Sequence, residues 1–363
     1  MKAFNALRHP LAALSLAVGA ATLALPLAAQ TRASDSPPVA AATASRTFHH
    51  AQGQTTIAAV PQRIAVLDLA ALDILDGLGV EVAGVPTLEA QYWPDYLKKY
   101  STSQFTPVGD LFQPDLEALK KLQPDLVILG SRSASKFQEV SAIAPTIDLS
   151  SGSTAFVPTV AQNILLLGRI LNREPQASER AESLLRQVRE LHAKAAKAGN
   201  GLLLFGFGDS VSVQYPQTRF GVVYELLGIA PTVSVAEAPP PFTPSRASIP
   251  VPAAGSPEAA AAEQRQRDAM RQRAEAESKR LADVIQREPD WLFVIDRSAA
   301  FGERANAAAV LQASAAITGS QAWQRKHVLH FDGREWYLAG GSPSAVERAI
   351  RQFSQALDAV ELK

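Results

Sequence analysis

One ten-residue stretch occurs twice in this chain, and that recurrence limits the possible folds more than any other feature. Gln123-Pro-Asp-Leu-Val-Ile-Leu-Gly-Ser-Arg132 and Glu288-Pro-Asp-Trp-Leu-Phe-Val-Ile-Asp-Arg297 align without a gap: a Pro-Asp turn, an apolar run, and an arginine at or just beyond its end. A second pair keeps the same order. Leu78-Gly-Val80 and Leu227-Gly-Ile229 each follow a helix-patterned segment and precede a strand-patterned one. The offsets are 165 and 149 residues, so one copy carries an insertion. Two ordered matches imply one β/α unit present twice.

The patterning around the first copy is α/β. Residues 63–67 form a short apolar run suited to a buried strand. Leu69, Leu72, Leu75 and Leu78 then recur at helical spacing, and Gly79 stands where a helix would end. Residues 80–85 read as the next strand. Pro114, Asp115 and Glu117 mark a further helix start, where proline sacrifices no hydrogen bond and acids meet the positive end of the helix dipole. Residues 126–129 are wholly apolar, as in a parallel strand covered on both faces. Strands alternating with helices require parallel crossovers. The predicted architecture is two Rossmann-like lobes with parallel-sheet cores, residues 56–157 and 200–363. They are joined by stiff helical segments at 158–171 and 175–198, within residues 158–199.

The chain has 363 residues, 35 basic and 35 acidic side chains, and no cysteine. That length can bury two cores without disulfides. Balanced charge argues against nucleic-acid binding, which needs a basic excess, and against electrostatic attachment to anionic lipid. Residues 1–30 carry Lys2 and Arg8 before an apolar run at 11–27, then Pro26, Ala28 and Ala29: the pattern of a cleavable export leader. With no cysteine to acylate, the mature chain is expected to be free in the periplasm. Residues 31–55, rich in Ala, Ser and Thr, read as a disordered tether, and His49 and His50 within it as ordinary side chains. Residues 238–257 hold a run of prolines and residues 258–280 a polar helix, so 238–280 reads as a solvated insertion in the second lobe. His192, on a polar helix face, reads as solvated.

Ligands of open α/β sheets bind beyond the carboxyl ends of strands. Arg132 and Arg297 hold that position, one per lobe, and facing lobes would bring both to a shared anion site. Arg219, directly before a helix, is a third candidate, and Thr218 beside it could cap that helix. Enzyme signatures are lacking: no Gly-x-Ser-x-Gly, no P-loop, no His-Glu-x-x-His. His327 and His330, three apart on a strand, would point to opposite faces and could not chelate one metal together. The chain is expected to be a binding protein without cofactor, not an enzyme.

At these residues the chain resembles the periplasmic ferric-siderophore-binding proteins of ABC importers, particularly those for catecholates. The resemblance runs from about residue 56 to 353. It is carried by Leu67-Asp-Leu, Leu72-Asp, Val108-Gly109, Gln113-Pro-Asp-Leu-Glu117, Pro124-Asp-Leu-Val-Ile, Gly130-Ser-Arg132, Ile143-Ala-Pro-Thr146, Thr218-Arg-Phe-Gly221, the second Pro-Asp strand and Glu335-Trp-Tyr-Leu338. It implies two lobes joined by a long rigid helix, with Arg132, Arg219 and Arg297 under an anionic ferric chelate. Arginine stays charged and stacks on rings, which suits a catecholate complex. It further implies Tyr337 as a potential direct iron ligand and places Trp336 near the cleft. The histidine that completes such coordination in the subgroup has no counterpart here, which favours a fully coordinated complex as cargo. One acid per lobe would dock an inner-membrane ABC permease: Glu117, and Asp283 beside Ala282, which holds the matching position. The protein is expected to act as a monomer with a ferric siderophore as ligand. Alternatives are another iron chelate, haem or a corrinoid, or an exported α/β hydrolase.

Overall fold

The computed structural model describes residues 45–208, 210–240, 256–301 and 307–361. The expected leader and residues 31–44 of the expected tether lie outside them, as do residues 241–255 of the proline-rich stretch. The rest of the tether is ordered, against expectation. β1 (Arg46–His50) and β2 (Gly53–Ile57) pair as an antiparallel hairpin. Phe48 and Ile57 turn into the core, and Ala51 N–H and Thr55 Oγ1 donate to the carbonyls of Asp148 (3.0 Å) and Thr146 (2.6 Å). Composition concealed it because two inward side chains and a neighbouring strand, not a run of apolar residues, hold it down. His50 is half-buried, its ring tilted on Phe137 and its Nε2 beside Thr55 Oγ1 at 3.0 Å.

The first lobe runs β3 (Ile64–Val66), α1 (Leu69–Gly77), β4 (Gly84–Val85), β5 (Thr106–Pro107), α2 (Leu116–Leu122), β6 (Leu126–Leu129), α3 (Phe137–Ser141) and β7 (Thr146–Asp148). Its sheet order is β5-β4-β3-β6-β7, all parallel. Asp68 caps α1 through Ala71 N–H, and Asp115 caps α2 through Glu117 and Ala118 N–H. The strand expected at 80–85 is shorter, because Gly79 and Val80 N–H close the end of α1 on the carbonyls of Asp76 and Leu75. All four side chains of β6 are fully buried.

α4 (Phe156–Ile170) and α5 (Glu174–Ala195) carry the chain to the second lobe, so the connection is a packed helix pair rather than one helix. The second lobe then runs β8 (Asn200–Phe207), β9 (Ser210–Gln214), α6 (Val222–Leu227), β10 (Ala230–Pro231), α7 (Pro257–Ile285), β11 (Trp291–Asp296), α8 (Arg297–Ala300), α9 (Ala307–Ala313), α10 (Ala315–Thr318), α11 (Gln321–Gln324), β12 (Val328–Phe331), α12 (Gly333–Ala339) and α13 (Pro343–Glu361). Its sheet order is β10-β8-β11-β12, parallel, with β9 antiparallel on β8.

The repeat is visible in this topology. β4-β3-β6-β7 and β10-β8-β11-β12 share one order, with β6 and β11 as the matching inner strands. Each Pro-Asp aspartate ties down the neighbouring strand: Asp125 accepts from Gln62 and Arg63 N–H at 2.8 Å ahead of β3, and Asp290 accepts from Asn200 N–H at 2.9 Å at the start of β8. Gly79 and Gly228 end α1 and α6 at φ of 67° and 66°, a left-handed conformation costly for any residue with a Cβ.

Other expectations are corrected. The helix after the proline-rich stretch does not stop at residue 280. It continues to Ile285, where Leu281, Val284 and Ile285 are buried with Leu202, Leu204 and Val213, so the insertion ends as part of the core. His192 is not solvated: its Nε2 lies 3.0 Å and 3.1 Å from the carbonyls of Glu225 and Leu226, at the end of α6. His327 stacks on Trp291 at 4.3 Å. Among the described residues no helix is long and apolar enough to cross a membrane.

Two carboxylates fasten the lobes together. Asp73 on α1, buried, accepts from Ser342 Oγ (2.7 Å), Ser344 Oγ (2.7 Å) and Ser344 N–H (2.8 Å) at the start of α13, with Arg180 of α5 at 3.7 Å. Glu225 on α6 accepts from Phe156 and Val157 N–H, both at 3.0 Å, and caps α4, whose own N-cap residue, Ala155, supplies no side-chain acceptor.

Candidate functional site

The carboxyl ends of β6 and β11 each deliver an arginine. Beyond β6, Ser133 N–H closes a turn on Gly130 O at 3.0 Å, and Arg132 projects from it. Beyond β11, Arg297 opens the single turn α8. Arg219 comes from the turn before α6, where Gln217 takes a left-handed φ of 59°. There Thr218 Oγ1 donates to Tyr215 O (2.7 Å) and accepts from Gly221 N–H (3.2 Å), so it holds this turn and not the helix itself.

All three arginines converge on Tyr337. Arg132 donates to the Tyr337 carbonyl, and Arg219 donates to the same oxygen at 2.7 Å. The guanidinium carbons of Arg132 and Arg219 lie 4.8 Å from the Tyr337 ring centroid, and that of Arg297 5.3 Å. α12, capped by Asp332 through Arg334 and Glu335 N–H, presents this tyrosine. Phe205 and Phe220 stack at 4.5 Å and flank its ring at 6.3 Å each, and Phe301 meets it edge-on at 5.6 Å.

The cluster is electropositive. Burial raises the pKa of the Tyr337 phenol, but a hydrogen bond from Arg297 and the charges of Arg132 and Arg297 outweigh it and hold the phenol below its usual range. Burial, then the Arg132 charge, lowers the pKa of Arg219. Two unit charges 4 Å apart at an effective dielectric near 20 repel by about 4 kcal/mol. A neutral carbonyl shared by two guanidinium groups relieves little of that, so an incoming anion is favoured.

A cleft of about 530 Å³ opens beside the cluster, walled by Asp68, Phe112 and Arg132 from the first lobe and Arg219, Phe220 and Tyr337 from the second. Burial raises the pKa of Asp68, which caps α1 at the floor; the backbone amides of Ala71 and Ala70, then Arg132, oppose the shift. Arg297 is not on the wall; it reaches the site through Tyr337. Trp336 borders the cleft but is 3% exposed and packed on Phe331, so it is a buried support more than a contact surface. Sequence reasoning missed the rings that the arginines lie on. Arg132 sits 5.0 Å from the centroid of Phe112, and Arg297 4.5 Å from those of Phe207 and Phe301. A phenylalanine in the polar turn 109–114 and another in Phe205-Gly-Phe-Gly208 were the available signals.

The two acids read as docking residues stand elsewhere. Glu117 is exposed in the first turn of α2, paired with Lys120 at 2.7 Å, and Asp283 is exposed on α7. Among the described residues no group of three or more His, Cys, Asp or Glu is placed to hold a metal ion.

Comparison with known proteins gives this geometry a lineage. Petrobactin-binding protein YclQ of Bacillus subtilis is 26% identical over 301 residues, covering 82% of this chain and 83% of that protein. Ferric-anguibactin-binding protein FatB of Vibrio anguillarum is 26% identical over 309 residues, 84% of each. Among solved structures, siderophore-binding protein BauB, bound to a complex of two acinetobactin molecules and ferric iron, superposes with a TM-score of 0.69 at 25% identity, over 86% of this chain and 99% of that one. The fold of the catecholate-siderophore-binding protein VctP of Vibrio cholerae is shared at a TM-score of 0.70 and 22% identity, over 86% and 100%. The sequence profile of one family spans residues 64–335, both lobes and the helices between them: the chain belongs to the Periplasmic binding protein family.

Proposed function

We propose that this chain is a periplasmic substrate-binding protein that captures a ferric siderophore, of catecholate type, and delivers it to an inner-membrane ABC permease. The observation that carries the reading is the meeting of Arg132, Arg219 and Arg297 on Tyr337 beside a cleft shared by both lobes. A tris-catecholate iron(III) complex is a bulky trianion with flat aromatic faces. Guanidinium groups answer both properties, with charge for the anion and planes for the rings. The ferric-siderophore relatives named above support the same cargo class. The cleft holds cargo and the reading requires no catalytic step.

Tyr337 supports a second reading of the same cargo. Guanidinium groups that hold a phenol below its usual range favour the phenolate, the form that binds iron(III). A chelate with open coordination sites would draw on that oxygen; a hexadentate one would leave it to the arginines. Export through a cleaved leader at residues 1–30 accounts for the compartment, and Glu117 and Asp283 are assigned to permease docking, one acid per lobe, with the protein acting as a monomer.

The test is a fluorescence titration of the purified protein against a panel of ferric siderophores, haem and cobalamin, using its four tryptophans. Saturable quenching by ferric catecholates, with weak or no response to haem and cobalamin, is the expected result. Tight binding of haem alone would overturn the reading.

A further inference from the structure

Phe112 and Phe207 are 51% and 52% exposed, and among the described residues they are the two exposed rings of phenylalanine, tyrosine or tryptophan. A scattered exposed ring needs no explanation. These two are not scattered: each is paired with a different arginine of the cluster, one from each lobe. The guanidinium of Arg132 lies over Phe112 (5.0 Å) and over Tyr337 (4.8 Å), and that of Arg297 lies 4.5 Å from Phe207 and 5.3 Å from Tyr337. The result is a series of ring and cation, Phe112–Arg132–Tyr337–Arg297–Phe207, with Phe301 also 4.5 Å from Arg297; it starts on the cleft wall, in the turn before α2, and runs past that wall to the tip of β8.

Such stacking changes what each arginine offers a ligand. With rings over its faces, a guanidinium presents its in-plane N–H groups, which suit the oxygens of an anionic chelate. The terminal phenylalanines, half in water, keep apolar surface open to a further planar group. We infer that Phe112 and Phe207 are specificity-determining residues that stack on aromatic rings of the chelator, so the site selects aryl chelates such as catecholates over aliphatic ones such as citrate. The inference rests on the ferric-siderophore reading and goes one step further, to the residues that choose among chelates.

The experiment measures dissociation constants of a ferric tris-catecholate and of ferric citrate for the wild type, Phe112→Ala, Phe207→Ala, the double variant and Phe112→Tyr. Thermal unfolding of each variant confirms a folded chain. Wild type is expected to bind the catecholate at least tenfold more tightly. Each alanine variant should narrow that ratio about fivefold, in line with the worth of an aromatic contact, and the double variant more, while Phe112→Tyr, which keeps the ring, leaves it unchanged. Equal weakening for both chelates would mean that the rings only position the arginines, and would overturn the inference. So would an unchanged ratio, or a wild type that prefers citrate. Binding of neither chelate by the wild type would instead sink the siderophore reading, and this inference with it.

Discussion

Two clusters of charge lie where the lobes meet, and they are built on opposite principles. At Asp73 a buried carboxylate from the first lobe accepts three hydrogen bonds from Ser342 and Ser344 of the second, with Arg180 close by. At Tyr337 three arginines crowd one residue, two of them sharing a single neutral carbonyl beside an open cleft. The first cluster is closed and its charge is answered within the protein. The second gathers like charges beside open space. Like charges gathered beside a cavity repel one another, so such a site gains from an anion supplied from outside the chain. One cluster fastens the lobes; the other is the proposed seat of the cargo.

The largest expected effect follows from breaking the closed cluster. Asp73→Ala removes the acceptor from the Ser344 hydroxyl and amide, leaves the Ser342 hydroxyl only Tyr96 Oη at 2.9 Å, and takes away the carboxylate facing Arg180. Removing one member of a buried charged network costs about 3–5 kcal/mol, or roughly 5–8 °C in a chain of this size. Differential scanning calorimetry would read it. An Asp73→Ala protein that unfolds at the wild-type temperature would show that the lobes are held elsewhere.

The open cluster should respond the other way. Arg219→Ala removes one charge-assisted donor, worth about 1.5–3 kcal/mol of binding, so ferric-catecholate affinity should fall roughly 10- to 150-fold, while the unfolding temperature moves little or rises as repulsion with Arg132 is relieved. A variant with unchanged affinity, or with stability lost in proportion to binding, would erase the distinction between the two clusters.

The same contrast separates what the sequence disclosed from what it withheld. The duplicated Pro-Asp strand marked Arg132 and Arg297 because strand direction and end position are local properties of an apolar run. Asp68 and Asp115 cap helices that begin next to them, so such caps are local too. Asp73 and Glu225 cap helices far away in the chain, with Asp73 and Ser342 separated by 269 positions, and no spacing rule connects them. The meeting point of the arginines was also out of reach, because it is a backbone carbonyl that any residue could supply. Phe112 and Phe207 take their meaning only from the guanidinium groups beside them. The hairpin at residues 46–57 went unseen because it is anchored by two inward side chains and by bonds to the distant strand β7, not by an apolar run of its own.

Glu335 sharpens the comparison, because it stands between the clusters. It sits two residues before Tyr337 on α12, is 3% exposed, and pairs at 3.2 Å with Arg348 of α13, the helix that Asp73 caps. Burial pushes its carboxyl up to about 7; Arg348 and Arg334 oppose the shift, Asp332 and Asp95 add to it. A carboxyl raised in the folded state holds its proton more tightly there than in the unfolded chain. Stability therefore declines as pH rises from the ordinary glutamate value to about 7, and levels off above it. Glu335→Gln abolishes that titration. The variant should match wild type near pH 5 and exceed it by about 1–2 kcal/mol at pH 8, a fraction of the shift's full worth because Arg348 is half in water. Urea unfolding at the two pH values would measure it. Parallel profiles for wild type and variant would mean that Glu335 holds its proton no more tightly in the folded chain than in the unfolded one, and that it adds nothing to the contrast between the two clusters.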